Sequence, residues 1–218
     1  MIDLHSHTLL SDGELLVSEL VRRAEAAGYR VINISDHADL SNLDFLVPRV
    51  VKACAALTRL TSVKVIAGVE ITHCPLEQIA SLVEEARKLG AQLVTVHGET
   101  LSEPVVPGTN RAAIEAGADI LAHPGLIREE DVVLAAQKDV HLEISARKGH
   151  CLANGHVAGL ARAAGAKLVF GTDCHAPEDL VTRKYAGRIL RAAGLDDDEV
   201  DTVWKNGEAL VKRVLGGS

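Results

Sequence analysis

Aromatic side chains are scarce, with two Phe, two Tyr and one Trp in 218 residues. Stacking platforms for single-stranded bases are therefore not expected. An excess of basic charge is missing as well. Lys and Arg number 23 against 30 Asp and Glu, a net charge of −7, which argues against a broad electrostatic grip on long nucleic acid. The four cysteines, Cys54, Cys74, Cys151 and Cys174, contain no C-x-x-C pair. A disulfide framework is not expected, and free thiols fit a reducing cytoplasm. No apolar run approaches the roughly 18 residues of a bilayer span, and the chain opens into a strand rather than a signal peptide. These absences predict a cytoplasmic protein with no membrane partner.

What is present is an ordinary globular composition, 47% apolar and 24% charged, arranged with a clear period. Short β-branched or apolar segments recur at Ile2–His5, Val31–Ser35, Val63–Glu70, Gln92–His97, Asp119–His123, Val140–Ser145 and Lys167–Thr172. Helical spacing fills the intervals. Leu16, Leu20, Val21 and Ala24 are closed by Gly28, and further helices span Phe45–Leu60, Leu76–Leu89, Asn110–Ala116, Glu129–Gln137 and Val157–Ala164. Thr182–Leu190 and Asp197–Leu215 read as closing helices, with Trp204 in the apolar stripe of the second. This alternation means βαβ units and a parallel sheet. No linker or charge block divides the chain, so residues 1–218 are expected to form a single domain.

Taking every second strand residue gives Asp3, His5, His7; Asn33, Ser35, His37; Ile66, Gly68, Glu70; Leu93, Thr95, His97; Asp119, Leu121, His123; His141, Glu143, Ser145; and Val169, Gly171, Asp173. The opposite faces are almost wholly apolar. One apolar face and one of small or polar residues suit a closed barrel, whereas an open doubly wound sheet needs apolar residues on both faces. Each strand ends in, or passes within three residues of, a His, Glu or Asp on the inferred inner face. His5 and His7, two residues apart, point the same way and can chelate one borderline-soft cation. Barrel active sites lie at the C-terminal strand ends, so a metal centre is expected there.

In order, the series His5-Ser6-His7, Asp12-Gly13, Ser35-Asp36-His37, Gly68-Val69-Glu70, Val96-His97-Gly98, Ala122-His123-Pro124 and Thr172-Asp173-Cys174-His175 resembles the polymerase-and-histidinol-phosphatase (PHP) family over essentially the whole chain. The resemblance implies a distorted seven-stranded (β/α)7 TIM-like barrel. It also implies three divalent ions: the first on His5, His7, Glu70 and Asp173, the second sharing Glu70 with His97 and His123, the third on Asp12, His37 and His175. Some relatives have His where this chain has Asp12. Six imidazoles and three carboxylates suit zinc, manganese or iron better than magnesium or calcium. Three such ions against three carboxylates leave a nominal charge of about +3, which suits a phosphate. The implied activity is hydrolysis of a small phosphomonoester, as in histidinol-phosphate phosphatases, by a metal-bridging hydroxide at a trinuclear site, with Glu70, Asp173 and His175 central to catalysis. The alternative is a PHP-type nuclease or nucleotide phosphoesterase. A protein scaffold is disfavoured by the complete ligand set and acidic charge. A carbon–nitrogen or ester hydrolase like the related amidohydrolase barrels is disfavoured by the lack of an evident carbamylated lysine position.

Substrate contacts are expected from Arg147 and Lys148 after the sixth strand, since Arg presents a bidentate fork to phosphate, and from Glu143, which could instead support a ligand. Asp3 and Asp36 could orient imidazoles or bond backbone. The loop 98–111 reads as a lid, or as a connector with Asn110 capping the next helix. His73, His141, His150 and His156 lie outside the family pattern and read as structural or exposed. Cys174 points away from its ligand neighbours.

Overall fold

Helices form where the apolar period is 3.6, and several end where glycine takes the left-handed backbone that a side chain disfavours, as at Gly28 and Gly165. The computed structural model describes residues 1–216. The helices are α1 (Val17–Ala26), α2 (Leu43–Leu60), α3 (Leu76–Lys88), α4 (Thr109–Glu115), α5 (Glu129–Lys138), α6 (Asn154–Ala164), α7 (Arg183–Ala192) and α8 (Asp197–Gly216). The strands are β1 (Ile2–Asp3), β2 (Val31–Ile34), β3 (His37–Ala38), β4 (Lys64–Ile71), β5 (Leu93–His97), β6 (Ile120–Ala122), β7 (His141–Ser145) and β8 (Leu168–Gly171). Every pairing is parallel, in the order β1-β2-β4-β5-β6-β7-β8, with β3 pairing β4 off that path.

The path of seven strands is the expected distorted barrel. Its seam is closed above β1 and β8 rather than along them: Asp173 N–H donates to His5 O at 2.9 Å, His7 N–H donates to Cys174 O at 2.8 Å, and Ser6 bridges Cys174. Below the seam, Leu210 and Val211 of α8 share an apolar cluster with Ile2, Leu4, Val31, Ile66, Leu93, Ile120 and Val169. This cluster forms the barrel floor. The other strand faces, including Ile32, Ile34, Val94, Val96, Leu142 and Ile144, pack in the helix-facing core, where Cys174 and Trp204 also lie.

The alternation holds in most strands but fails in two. β6 is out of phase with the expectation: Ile120 pairs with inward-facing Thr95 and Leu121 with outward-facing Val96, and Ile120 belongs to the floor cluster while Leu121 belongs to the helix-facing core. His123 follows β6 with φ 27, so a backbone turn brings it to the inner face where strand alternation would not. In β1, Asp3 pairs with Ile32 of the helix-facing layer, and the strand breaks before His5 turns inward.

Asp3 pins that break. Its Oδ1 accepts from Thr172 N at 2.9 Å and from His5 N at 3.3 Å, and Oδ2 accepts the Thr172 hydroxyl. It orients backbone rather than an imidazole. Asp36 likewise accepts from Thr8 N at 2.6 Å and from the Thr8 and Ser11 hydroxyls, holding the β1–α1 loop. Replacing Asp3 by Ala leaves buried donors without partners and is expected to cost about 3 kcal/mol or more. Urea denaturation of the metal-free protein would measure it, and a loss below about 0.5 kcal/mol would show the seam does not depend on this carboxylate.

Among the described residues the cysteines are unpaired, and no helix is long and apolar enough to cross a membrane.

Candidate metal centre

At the C-terminal ends of the strands the expected ligands converge, and the hydrogen bonds of their rings prepare them for it. His5 Nδ1 lies 2.8 Å from Glu143 Oε1, His97 Nδ1 3.1 Å from Gly98 O, and His175 Nδ1 2.9 Å from Asp173 O. Each oxygen accepts the Nδ1 proton and leaves the Nε2 lone pair facing inward, which is how supporting groups fix a metal-binding tautomer.

The inward atoms gather in groups. Nε2 of His5 and of His7 lie 3.5 and 3.7 Å from Glu70 Oε2, and 3.8 and 3.3 Å from Asp173 Oδ1. His123 Nε2 lies 3.6 Å from Glu70 Oε1 and 3.7 Å from Asp173 Oδ2. Toward solvent, Asp12 Oδ1 lies 3.5 Å from His37 Nε2 and 3.2 Å from His175 Nε2. Most of these separations are long for hydrogen bonds. They approach the roughly 3.3 Å edge between two ligands each held about 2.0–2.1 Å from a tetrahedral ion. Buried within the cluster, His5 Nε2, both ring nitrogens of His7, Glu70 Oε1 and His123 Nδ1 have no hydrogen-bond partner. Orphaned buried donors and acceptors in such number are abnormal unless an ion or water serves them. The nitrogen and carboxylate set therefore fits divalent transition ions.

The electrostatics divide the rings. Burial opposes charge on His5, but Glu143, Glu70 and Asp173 outweigh it and hold its pKa well above the usual imidazole value. Burial, with His37 and His5 alongside, holds His7 well below that value, and burial with His97 does the same to His123. Burial would raise Glu70, yet His5 and His37 keep it well below the usual carboxylate range. Burial, only partly offset by His5, pushes Asp173 up to about 7.

The residues expected around the ligands divide differently. Glu143 does not face a substrate: it is buried, bonded to His5, and its Oε2 accepts from His123 N at 3.0 Å. Of the two roles expected of Glu143, support of a ligand and contact with substrate, its bonds fit the first, and it leaves no space beside it. A methyl on Gly171 would strike Glu143 Oε1 and lie 2.7 Å from His5 Cβ. Arg147 is at the mouth, its guanidinium donating to Asp173 O at 3.3 Å and 3.8 Å from Asp179 Oδ2. Lys148 is exposed and pairs with no acidic group among the described residues. Asn110 does not cap α4, whose N-cap is Gly108. Its side chain instead accepts from Glu99 N at 3.0 Å and donates to Pro124 O at 2.8 Å, stapling the β5–α4 loop.

His141 and His156 are structural, lying 3.3 Å from Asp119 O and 2.7 Å from Ile127 O. His150 was expected to be structural or exposed. It is buried, with its ring centroid 4.1 Å from that of His123. Glu103, for which the motif series offers no signal, reaches from the same stapled loop to within 3.0 Å of His97 Nε2, and that contact leads in pulling its pKa down to about 2. Beside Asp12 and His37 a cleft of about 340 Å³ opens, lined also by Asn42, Thr72, His73 and Glu103.

A parallel α/β barrel with imidazoles and carboxylates collected at its strand ends defines a metal-binding barrel. The chain belongs to the PHP domain family, whose model matches residues 3–144. It is 43% identical to an uncharacterised protein of Methanocaldococcus jannaschii over 215 residues, 97% of this chain and 99% of that one. A probable phosphatase of Thermoanaerobacter sp. is 26% identical, the match covering 100% of this chain and 98% of the relative. The histidinol phosphate phosphatase of Lactococcus lactis, solved with zinc, L-histidinol and phosphate, shares the fold with a TM-score of 0.64 and 17% identity, covering 89% of this chain and 94% of that one.

Proposed function

We propose that this chain is a metal-dependent phosphoesterase acting on small phosphomonoesters, with three divalent ions held by His5, His7, Asp12, His37, Glu70, His97, His123, Asp173 and His175. The chain is a hydrolase of the phosphatase class. The observation that carries the reading is the placement of Glu70. Its two oxygens face different partners, Oε2 toward His5 and His7 and Oε1 toward His123, so one buried carboxylate lies between two ligand groups. Divalent ions at such a centre acidify water and neutralise phosphate oxygens.

The chain's own residues do the rest. His5, His7 and Asp173 hold the innermost position, and Glu143 keeps His5 in its ligand tautomer. Asp12 and His37 border the open cleft, with His175 behind them 3.2 Å from Asp12, so an ion held there would meet the substrate phosphate. Arg147 sits beside Asp173 at the mouth, where its guanidinium can turn a fork of N–H groups toward a phosphate oxygen. The cleft is near the lower end of the roughly 300–1,000 Å³ of small-ligand sites, which favours a compact monoester. The zinc, histidinol and phosphate of the Lactococcus lactis structure and the phosphatase name of the Thermoanaerobacter relative support the same class.

The test is an assay of protein loaded with zinc, manganese or iron against sugar, amino-alcohol and nucleotide monophosphates and a short oligonucleotide. Phosphate release from a small monoester is expected. Cleavage of the oligonucleotide alone would transfer the protein to the nuclease class.

A further inference from the structure

The rim above the second ligand group carries donors that the nine-residue set does not use. His150 opens a short 3-10 turn, His150–Ala153, after β7. It is 6% exposed, and the donor atoms of His97, His123 and His150 all lie within 4.8 Å of one another. Nδ1 of His150 and Nδ1 of His123 are both buried without a hydrogen-bond partner. Glu103 closes the cluster from above: its Oε2 is 3.0 Å from Nε2 of both His97 and His73, and its Oε1 is 3.3 Å from His150 Nε2. The two loops that carry these groups touch, since a methyl on Gly149 would meet Ser102 Oγ at 2.5 Å.

We propose that His150 and Glu103 complete the second metal position, His150 as a resident ligand and Glu103 as the ligand that substrate phosphate displaces. The inference rests on the metal-centre reading and extends it. With Glu70, His97 and His123, a third imidazole brings the resident protein ligands to four, enough to retain the ion between turnovers, and Glu103 or a phosphate oxygen takes the fifth position of an expanded shell. Glu103 belongs to a different class of contact. It is partly exposed and its carboxylate already has a second partner in His73, at the cleft edge. When a phosphate oxygen takes the place of Glu103 on the ion, His73 keeps the displaced carboxylate within the cleft. Hard phosphate and carboxylate oxygens compete for one coordination site while the three nitrogens stay. No bond in the protein is made or broken by this exchange.

The experiment titrates metal-free wild-type protein, His150→Ala, His150→Phe, Glu103→Gln and Leu152→Ala with zinc against a chromophoric chelator, and repeats it with cobalt to read the ligand-field spectrum. Leu152 lies in the same turn but is 72% exposed and serves as the control for loop disturbance. His150→Phe keeps a ring in the packing should the alanine variant unfold. Both His150 variants are expected to weaken one of three metal equivalents by on the order of 100-fold, and to change the cobalt spectrum of that equivalent alone. Glu103→Gln should retain three equivalents and bind inorganic phosphate several-fold more tightly, with Leu152→Ala unchanged in both. Wild-type affinities and spectra in both folded His150 variants would overturn the ligand role, and unchanged or weaker phosphate binding in Glu103→Gln would overturn the exchange. Fewer than three equivalents in the wild type would instead count against the trinuclear reading on which the proposal stands.

Discussion

Glu70→Gln is expected to lower phosphoesterase turnover roughly 1,000-fold or more, beyond the 10²–10³ lost with a single preorganised donor, while the barrel stays folded. Glutamine preserves the shape of a side chain that is wholly buried and can still bond His37 Nδ1, now 2.7 Å from Oε2. What disappears is a charge shared between two groups of imidazoles. In the metal-free protein that charge helps keep His5 positive, but Glu143 and Asp173 stay beside the ring, so no buried ion is left without a partner and the cost in fold stability is small. In the loaded enzyme the amide nitrogen cannot serve as a ligand, and the two inner positions lose their common carboxylate. Metal content should fall from three equivalents toward one, the survivor being the group of Asp12, His37 and His175, whose mutual contacts of 3.2 and 3.5 Å do not pass through Glu70. Elemental analysis and circular dichroism on the same sample separate this outcome from unfolding. Wild-type turnover in a Glu70→Gln protein that binds three metals would end the shared-carboxylate model.

Such a variant can be chosen because much of the site is legible in the sequence, and the exceptions show what limits legibility. Glu70 and His97 lie in strands whose alternation runs unbroken from the floor residues Ile66 and Leu93, so two-residue periodicity carries the argument to the strand end. Asp173 lies two residues past β8 with φ 54, where alternation alone does not fix its direction. His123 belongs to the site for another reason. Its strand is three residues long and in the opposite phase, and a positive φ restores the direction. Sequence order identified it; the face deduced for it was right only because two departures cancelled. β3 was not anticipated at all, since His37 and Ala38 form a strand of two residues, too short to have a period. Glu103 and His150 lie on loops, where position depends on staples such as Glu99 Oε1 accepting from Gly108 and Asn110 N–H groups. No local pattern encodes which side chain such a loop presents. Glu143 is on the face the sequence indicates, but alternation specifies a direction and not a depth, so support of a ligand and contact with substrate both stay open until its bonds to His5 and to His123 N are seen.

Metal uptake is expected to release protons, more of them at lower pH, and to raise thermal stability by about 10 °C or more. The metal-free cluster holds protons where an ion must bind. His5 is kept protonated through neutrality by Glu143, Glu70 and Asp173 despite its burial, and burial keeps Asp173 half protonated at about 7. His7 and His123 are already neutral and release nothing. At pH 8 His5 contributes a proton; toward pH 6 Asp173 adds its own, as do His37 and His97, whose imidazoles are raised against burial by Glu70 and, for His97, by Glu103. Affinity should decline by up to about tenfold per unit for each proton displaced. The stability sign follows. Asp173 has a folded pKa above its usual value of 3.8, so its contribution to the metal-free fold is complete below about pH 4 and is lost as pH rises through about 7. Bound ions replace the proton and grow tighter over the same interval, so the melting temperatures of loaded and metal-free protein should diverge from pH 6 to pH 8. One site at 100 times its Kd adds about 2.7 kcal/mol, or roughly 5–10 °C for a chain of this size, and three sites add more. Calorimetric titration in buffers of different ionisation enthalpy counts the protons, and melting curves with and without chelator measure the gap. A proton count independent of pH, or a gap that narrows from pH 6 to pH 8, would mean that Asp173 and His5 do not face the bound ions.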